Sequence, residues 1–265
     1  MQDLKILGLQ TDIRWDDPQR NREEFRIKIL NHVDGHHLVI LPETFTTGFP
    51  SFPDYRSEPL EGETLAWMER MAAETDAVIT GSYLAETADN VYNTLVWMRP
   101  DGTYNCYHKR HVFSMAGEDK VIGKGNQQMI VELNGWKINT MICYDLRFPV
   151  WSMNRTDSKG NYAYDLALYV ANWPAVRIYP WTQLLIARAI ENLSYVFAVN
   201  RIGHDPQGVF YNGHSMVVDP KGNLIEEVSE GKERAITAQL NHASLMEFRE
   251  KFNVGRDWDA FNLTV

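Results

Sequence analysis

Residues 137–149 read Lys-Ile-Asn-Thr-Met-Ile-Cys-Tyr-Asp-Leu-Arg-Phe-Pro. An apolar, β-branched run delivers Cys143 to the end of a strand, then breaks at once into polar residues and a proline. The polar Tyr-Asp step predicts an exposed thiol. An ordinary thiol is mostly protonated at neutral pH, so a nucleophilic cysteine needs a nearby base and a positive charge to receive the developing anion. Two other strand ends carry those groups. Glu43 closes the run Leu-Val-Ile-Leu-Pro-Glu, and Lys109 closes Thr-Tyr-Asn-Cys-Tyr-His-Lys. Open α/β sheets gather their chemistry at the carboxyl ends of strands.

Each residue also has a plainer reading. A lone cysteine after a strand is often a small core hydrophobe, and Cys106, inside an alternating strand, is read as packing. Glu43 is either a capped structural anion or a partly desolvated base. Lys109, within Lys109-Arg110-His111, is either a solvated edge or an inward ammonium that steadies an oxyanion.

The 265 residues, 44% of them apolar, suffice for a sizeable core and are read as one domain, 1–265. The sequence shows no apolar stretch of membrane-spanning length and no signal peptide, which predicts a cytoplasmic protein. A net charge of −9 argues against nucleic acid or an anionic membrane as partner. The two cysteines form no CxxC pair, and the eight histidines show no HExxH, which argues against a metal site. Gly-Lys-Gly-Asn at 123–126 lacks the rest of a phosphate-binding loop.

Patterning predicts strands at 4–10, 39–41, 77–83, 92–98, 103–108, 129–133, 166–171, 195–200, 215–219 and 235–240, besides the one before Cys143. Helices are expected from Asp17-Pro18 onward, with Phe25, Ile29, Leu30 and Val33 on one face, and at about 62–75, 181–194 and 243–251. Leu65, Met68 and Met71 share a face of the second. Arg99-Pro100-Asp101-Gly102 and Pro220-Lys221-Gly222-Asn223 read as turns between strands. These periodicities establish an α/β protein and no more.

Taken together, Leu-Pro-Glu at 41–43, His-Lys-Arg-His at 108–111 and Cys-Tyr-Asp-Leu-Arg-Phe-Pro at 143–149 resemble the nitrilase, or carbon-nitrogen hydrolase, superfamily. Phe45-Thr46-Thr47-Gly48-Phe49, Met115-Ala116-Gly117-Glu118, Tyr169-Val170-Ala171-Asn172-Trp173-Pro174 and Ala187-Arg188-Ala189-Ile190-Glu191-Asn192 resemble its bacterial omega-amidase branch. The resemblance implies a four-layer α-β-β-α sandwich, a homodimer, no cofactor, and hydrolysis of the side-chain amide of 2-oxo acids such as 2-oxoglutaramate. It implies Cys143 as nucleophile, Glu43 as base, and Lys109 with the Tyr144 N–H as oxyanion donors. Glu118 would support this group by orienting Lys109 or the substrate amide. Arg177 is the candidate for the substrate carboxylate, with Phe113 and Trp173 as pocket walls; Arg147 is read as a structural ion pair. Related enzymes acting on deaminated glutathione, carbamoyl amino acids or nitriles remain alternatives. So do an acyltransferase and a non-catalytic interaction protein on the same fold.

Overall fold

Apolar β-branched runs build two sheets, and amphipathic segments supply the helices that cover them. The computed structural model describes residues 2–50, 55–228 and 230–264. The first sheet is built from β1 (Leu4–Gln10), β2 (Leu38–Ile40), β3 (Glu58–Pro59), β4 (Val78–Glu86), β5 (Val91–Met98) and β6 (Tyr104–His108). The second begins with β7 (Ile130–Leu133), β8 (Trp136–Ile142), β9 (Leu166–Ala171) and β10 (Tyr195–Asn200). A separate ribbon of β11 (Ile202–His204) and β12 (Phe210–Asn212) follows. Then β13 (Met216–Val218) and β14 (Leu224–Glu227) extend the second sheet, and β15 (Arg234–Leu240) returns to the first.

The orders are β15-β1-β2-β4-β5-β6, with β3 beside β4, and β14-β13-β10-β9-β8-β7. Each sheet has a parallel centre flanked by antiparallel strands: β1, β2 and β4, with the two-residue β3 parallel to β4, in the first, and β8, β9 and β10 in the second. The side-chain period of two sorts the strands' residues between layers. Ile6, Leu38, Ile40 and Trp97 share a buried cluster with Met141, Val170 and Phe197 of the other sheet. Leu7, Leu9, Val39 and Ile79 face the opposite way, onto Phe25 and Ile29 of α1 (Pro18–His32) and Met68 and Met71 of α2 (Glu63–Thr75). Beyond the one-turn α3 (Pro149–Ser152), Trp181, Leu185 and Ala189 of α4 (Ile178–Asn192) cover the second sheet. Leu245 of α5 (His242–Lys251) joins the same core. The result is the four-layer α-β-β-α sandwich. Among the described residues, no helix is long and apolar enough to cross a membrane.

Local signals set several boundaries. Asp17 Oδ1 accepts from the Arg20 N–H at 3.1 Å, and Pro18 opens α1. Gly102, at φ +82°, closes the turn between β5 and β6.

Two expectations need correcting. Leu30 is 38% exposed: the buried face of α1 is completed by Asn21 and Arg22, whose polar ends bond to the Thr46 carbonyl and the Thr64 hydroxyl. The 220–223 turn does lie between strands, but the strand after it is β14, which patterning did not predict. It joins β13 to the short β14, while β15 crosses to the first sheet and pairs antiparallel with the whole of β1. Strand order is a tertiary property, and local alternation does not encode it.

Gly8 of β1 packs directly against β10 of the second sheet. A Cβ there would sit 2.7 Å from side-chain atoms of Ile236, Phe197 and Val199. Gly8→Ala should therefore overpack the inter-sheet core and destabilise the protein by about 1–3 kcal/mol. Urea denaturation reads this, and an unchanged midpoint would mean that the sheets do not meet at Gly8.

Candidate active site

Glu43 lies just past the end of β2 and is fully buried. Its Oε1 accepts from Lys109 Nζ and from Asn93 Nδ2, each at 2.8 Å, and its Oε2 accepts from the Asn172 backbone N–H at 2.7 Å. Asn172 Nδ2 donates to the Glu43 carbonyl at 3.1 Å. The carboxylate is thus held by β5, by the residue after β6 and by the residue after β9.

Lys109 directly follows β6 and is also fully buried. Its ammonium donates to Glu118 Oε1 and Oε2 at 2.8 and 2.9 Å as well as to Glu43. Glu118 follows Gly117, whose φ of +77° turns the chain back toward Lys109. Its Oε2 also accepts the Phe113 N–H. One cation therefore serves two buried carboxylates. Burial pulls the Lys109 pKa down, but Glu118 and then Glu43 outweigh it and hold the ammonium above the ordinary lysine range. Burial raises Glu118, with Lys109 opposing and the charge on Glu43 adding to the rise.

Cys143 begins a 3-10 turn, Cys143–Arg147, with φ at +44°, a conformation unusual for a side chain other than glycine. The polar step after it does not open to solvent, contrary to the sequence expectation. Asp145 is fully buried and braces the turn. Its Oδ2 accepts from the Ile142 N–H at 3.0 Å and the Tyr107 hydroxyl at 2.7 Å. Its Oδ1 accepts from the His111 N–H at 2.9 Å and lies 2.8 Å from the His111 ring Nδ1. The thiol itself sits in a cavity wall, 7% exposed. Burial pushes its pKa well up, the charge on Glu43 adds to the rise, and Lys109 opposes it. The balance of these effects favours the protonated thiol.

The cavity has a volume of about 350 Å³. Phe113, Tyr144, Trp173 and Arg177 all line it beside Cys143; Glu43, Lys109 and Glu118 are fully buried and are not among its lining residues. Arg147 lines it too, which corrects the expected ion pair. Its guanidinium lies 4.9 Å from the centre of the Trp173 ring, and that of Arg177 lies 5.1 Å from Phe113. No described carboxylate forms an ion pair with either arginine. Asp205, the one acid among the described residues of this wall, accepts from the Gln207 and Val209 N–H groups and the Tyr211 hydroxyl. No group of three or more His, Cys, Asp or Glu among the described residues is placed to hold a metal ion.

Of the residues singled out from sequence, the structure joins Glu43, Lys109 and Glu118 in one hydrogen-bonded group and places Cys143 in the cavity wall. Sequence reasoning gave no role to Asn93, Asn172 or Asp145. The available signals were an asparagine inside the buried strand β5, and the Asn-Trp-Pro that follows the wholly apolar β9.

The carbon-nitrogen hydrolase family model matches residues 10–250. The chain is 42% identical over 263 residues to an omega-amidase, YafV, of Escherichia coli strain K12, covering 99% of this chain and 100% of that one. It is 33% identical over 260 residues to a 2-oxoglutaramate amidase of Bacillus subtilis, covering 95% and 96%. Its fold superposes with a TM-score of 0.97, at 42% identity over the full length of both chains, on XC1258 of Xanthomonas campestris. That is a CN-hydrolase superfamily protein crystallised with an arsenic adduct in its active site. The order of Glu43, Lys109 and Cys143, the two-sheet sandwich that gathers them, and these full-length matches agree: the chain belongs to the carbon-nitrogen hydrolase family.

Proposed function

We propose that the protein hydrolyses the ω-amide of 2-oxo acids, with 2-oxoglutaramate and 2-oxosuccinamate as substrates, through a thioester on Cys143. The observation that carries this reading is a thiol in a cavity wall backed by a buried carboxylate–ammonium–carboxylate group, with two unpaired arginines in the same cavity. Relatives described as omega-amidase and 2-oxoglutaramate amidase support the substrate class.

In the first half-reaction, Cys143 Sγ attacks the amide carbon as its proton passes to Glu43. The anion forming on oxygen is received by Lys109 Nζ and the Tyr144 N–H, which lies in the first turn of a helix where amides lack intrahelical partners. Collapse breaks the C–N bond, the proton on Glu43 goes to nitrogen, and ammonia leaves. Glu43 then takes a proton from water, whose oxygen attacks the thioester. The 2-oxo dicarboxylate departs and the thiol is restored. Glu118 grips Lys109 with both oxygens and acts as its positioning partner.

Arg177 and Arg147 receive the carboxylate at the other end of the substrate. Each presents a planar fork suited to a carboxylate, held by an aromatic face instead of by a competing acid. Both oxygens of Asp205 accept hydrogen bonds, so among the described residues the cavity wall offers no unpartnered carboxylate to a 2-ammonium group. This favours the 2-oxo acid over the amino acid. We place the enzyme in the cytoplasm as one catalytic domain. We also infer a homodimer, formed on the outer side of α4, where Tyr179 and Ile190 are exposed.

The purified protein should elute as a dimer and release ammonia from 2-oxoglutaramate, and Cys143→Ala and Glu43→Gln should abolish that release. Full activity in either variant would sink the mechanism. Arg147→Gln and Arg177→Gln should each raise KM about 10- to 100-fold with a smaller change in kcat, as expected when a charge-assisted pair of ~1.5–3 kcal/mol is lost. Unchanged KM in both would remove the arginines from the substrate site. The Cys143 thiolate, read as the ultraviolet difference between the protein and Cys143→Ala, should be absent at about pH 8.5, where an ordinary thiol is half ionised. A strong thiolate band there would contradict a protonated resting state.

A further inference from the structure

Asn172 touches Glu43 in two ways. Its backbone N–H donates to Oε2, and its side-chain Nδ2 donates to the Glu43 carbonyl at 3.1 Å and to Thr44 Oγ1 at 2.6 Å. A backbone carbonyl oxygen only accepts, so the nitrogen of this carboxamide must face Glu43 and the side chain has one allowed orientation. Both Nδ2 hydrogens are used. Oδ1 is left buried with no hydrogen-bond partner. A buried acceptor without a donor is uncommon in folded proteins and costly to maintain. Asn93, on the other side of Glu43, has an equally unpartnered Oδ1, but it is fully buried and takes no part in the cavity wall. Asn172 shares that wall with Cys143.

We propose that the Asn172 side-chain carbonyl accepts a hydrogen bond from the N–H of the substrate's carboxamide, making Asn172 the residue that selects amides over esters and nitriles of the same acid. The inference rests on the amide-hydrolase reading above and adds a nitrogen-reading group to it. The scissile nitrogen carries two hydrogens before attack, two in the tetrahedral adduct and three as ammonia. One of them satisfies Oδ1 at every stage, while the nitrogen lone pair stays turned toward the proton held by Glu43. An ester oxygen or a nitrile nitrogen carries no hydrogen. With either, Oδ1 stays unpartnered and meets lone-pair density instead.

The test compares kcat/KM for 2-oxoglutaramate with that for the ω-methyl ester of the same 2-oxo acid, in the parent, Asn172→Ala and Asn172→Ser. Loss of the anchor on Glu43 would slow both substrates alike. Loss of the nitrogen-reading acceptor should slow the amide about 10- to 100-fold more than the ester, collapsing the parent's amide preference. Equal losses on both would overturn the proposal and leave Asn172 as a positioning residue for Glu43. A parent that turns over neither 2-oxo compound would defeat the substrate reading separately, and the same ratio would then be read on a simple aliphatic amide and its methyl ester. Should both variants misfold by circular dichroism, the dissociation constants of amide and ester for Cys143→Ala decide. Tighter binding of the amide is expected, and equal affinities would overturn the proposal.

Discussion

The site depends on one ammonium shared between two carboxylates. Lys109, Glu43 and Glu118 are all withdrawn from water, and their charges sum to a single negative charge. Such a group persists only where the desolvation of each ion is offset by close, well-directed donors. Here every carboxylate oxygen has them. Glu43 takes Asn93 and the Asn172 N–H besides Lys109, and Glu118 takes the Phe113 N–H besides Lys109. Removing the lysine would leave two adjacent buried anions, a change of the kind that destabilises by about 3–5 kcal/mol. The same arrangement favours the protonated thiol. Burial and a neighbouring carboxylate outweigh the ammonium and push the Cys143 thiol well up.

Each sheet carries half of this constellation, so the chemistry exists only where the sheets are packed. Glu43, Asn93 and Lys109 belong to the first sheet and its extensions, and Cys143 and Asn172 to the second. Two sets of hydrogen bonds cross the gap: Asn172 to Glu43, and Tyr107 and His111 to Asp145. The second set holds Cys143 in a backbone conformation that costs about 1–3 kcal/mol when unsupported. The inter-sheet core at Gly8 and the nucleophile's geometry are therefore parts of one packing problem.

What the sequence disclosed follows the range of its signals. A strand-forming run that stops at or just before Glu43, Lys109 or Cys143 is a one-dimensional feature, and the strands lie close to where the runs predict. Asp145 was misread because burial of a charge depends on its partners. Its donors Tyr107 and His111 lie more than thirty residues earlier in the chain. Arg147 was misread for the complementary reason, since an arginine one residue removed from an aspartate suggests a local pair. In the fold Asp145 turns inward to Tyr107 and His111, and Arg147 turns out over Trp173. The return of β15 to the edge of β1, and the unpartnered oxygens of Asn93 and Asn172, exist only once both sheets have assembled.

The manner in which the arginines are held bears on what the cavity recognises. A guanidinium anchored by a carboxylate spends its fork on that partner, and a substrate carboxylate must then compete for it. A guanidinium laid over an aromatic ring is oriented through its face, leaving its in-plane N–H groups free. Trp173 and Phe113 hold Arg147 and Arg177 in this way, and Asp205 nearby accepts from the N–H groups of its own turn. The cavity thus separates its two tasks in space. Two guanidinium groups without a carboxylate partner line the cavity, while the Glu43–Lys109–Glu118 group, which carries one net negative charge, is buried beside it.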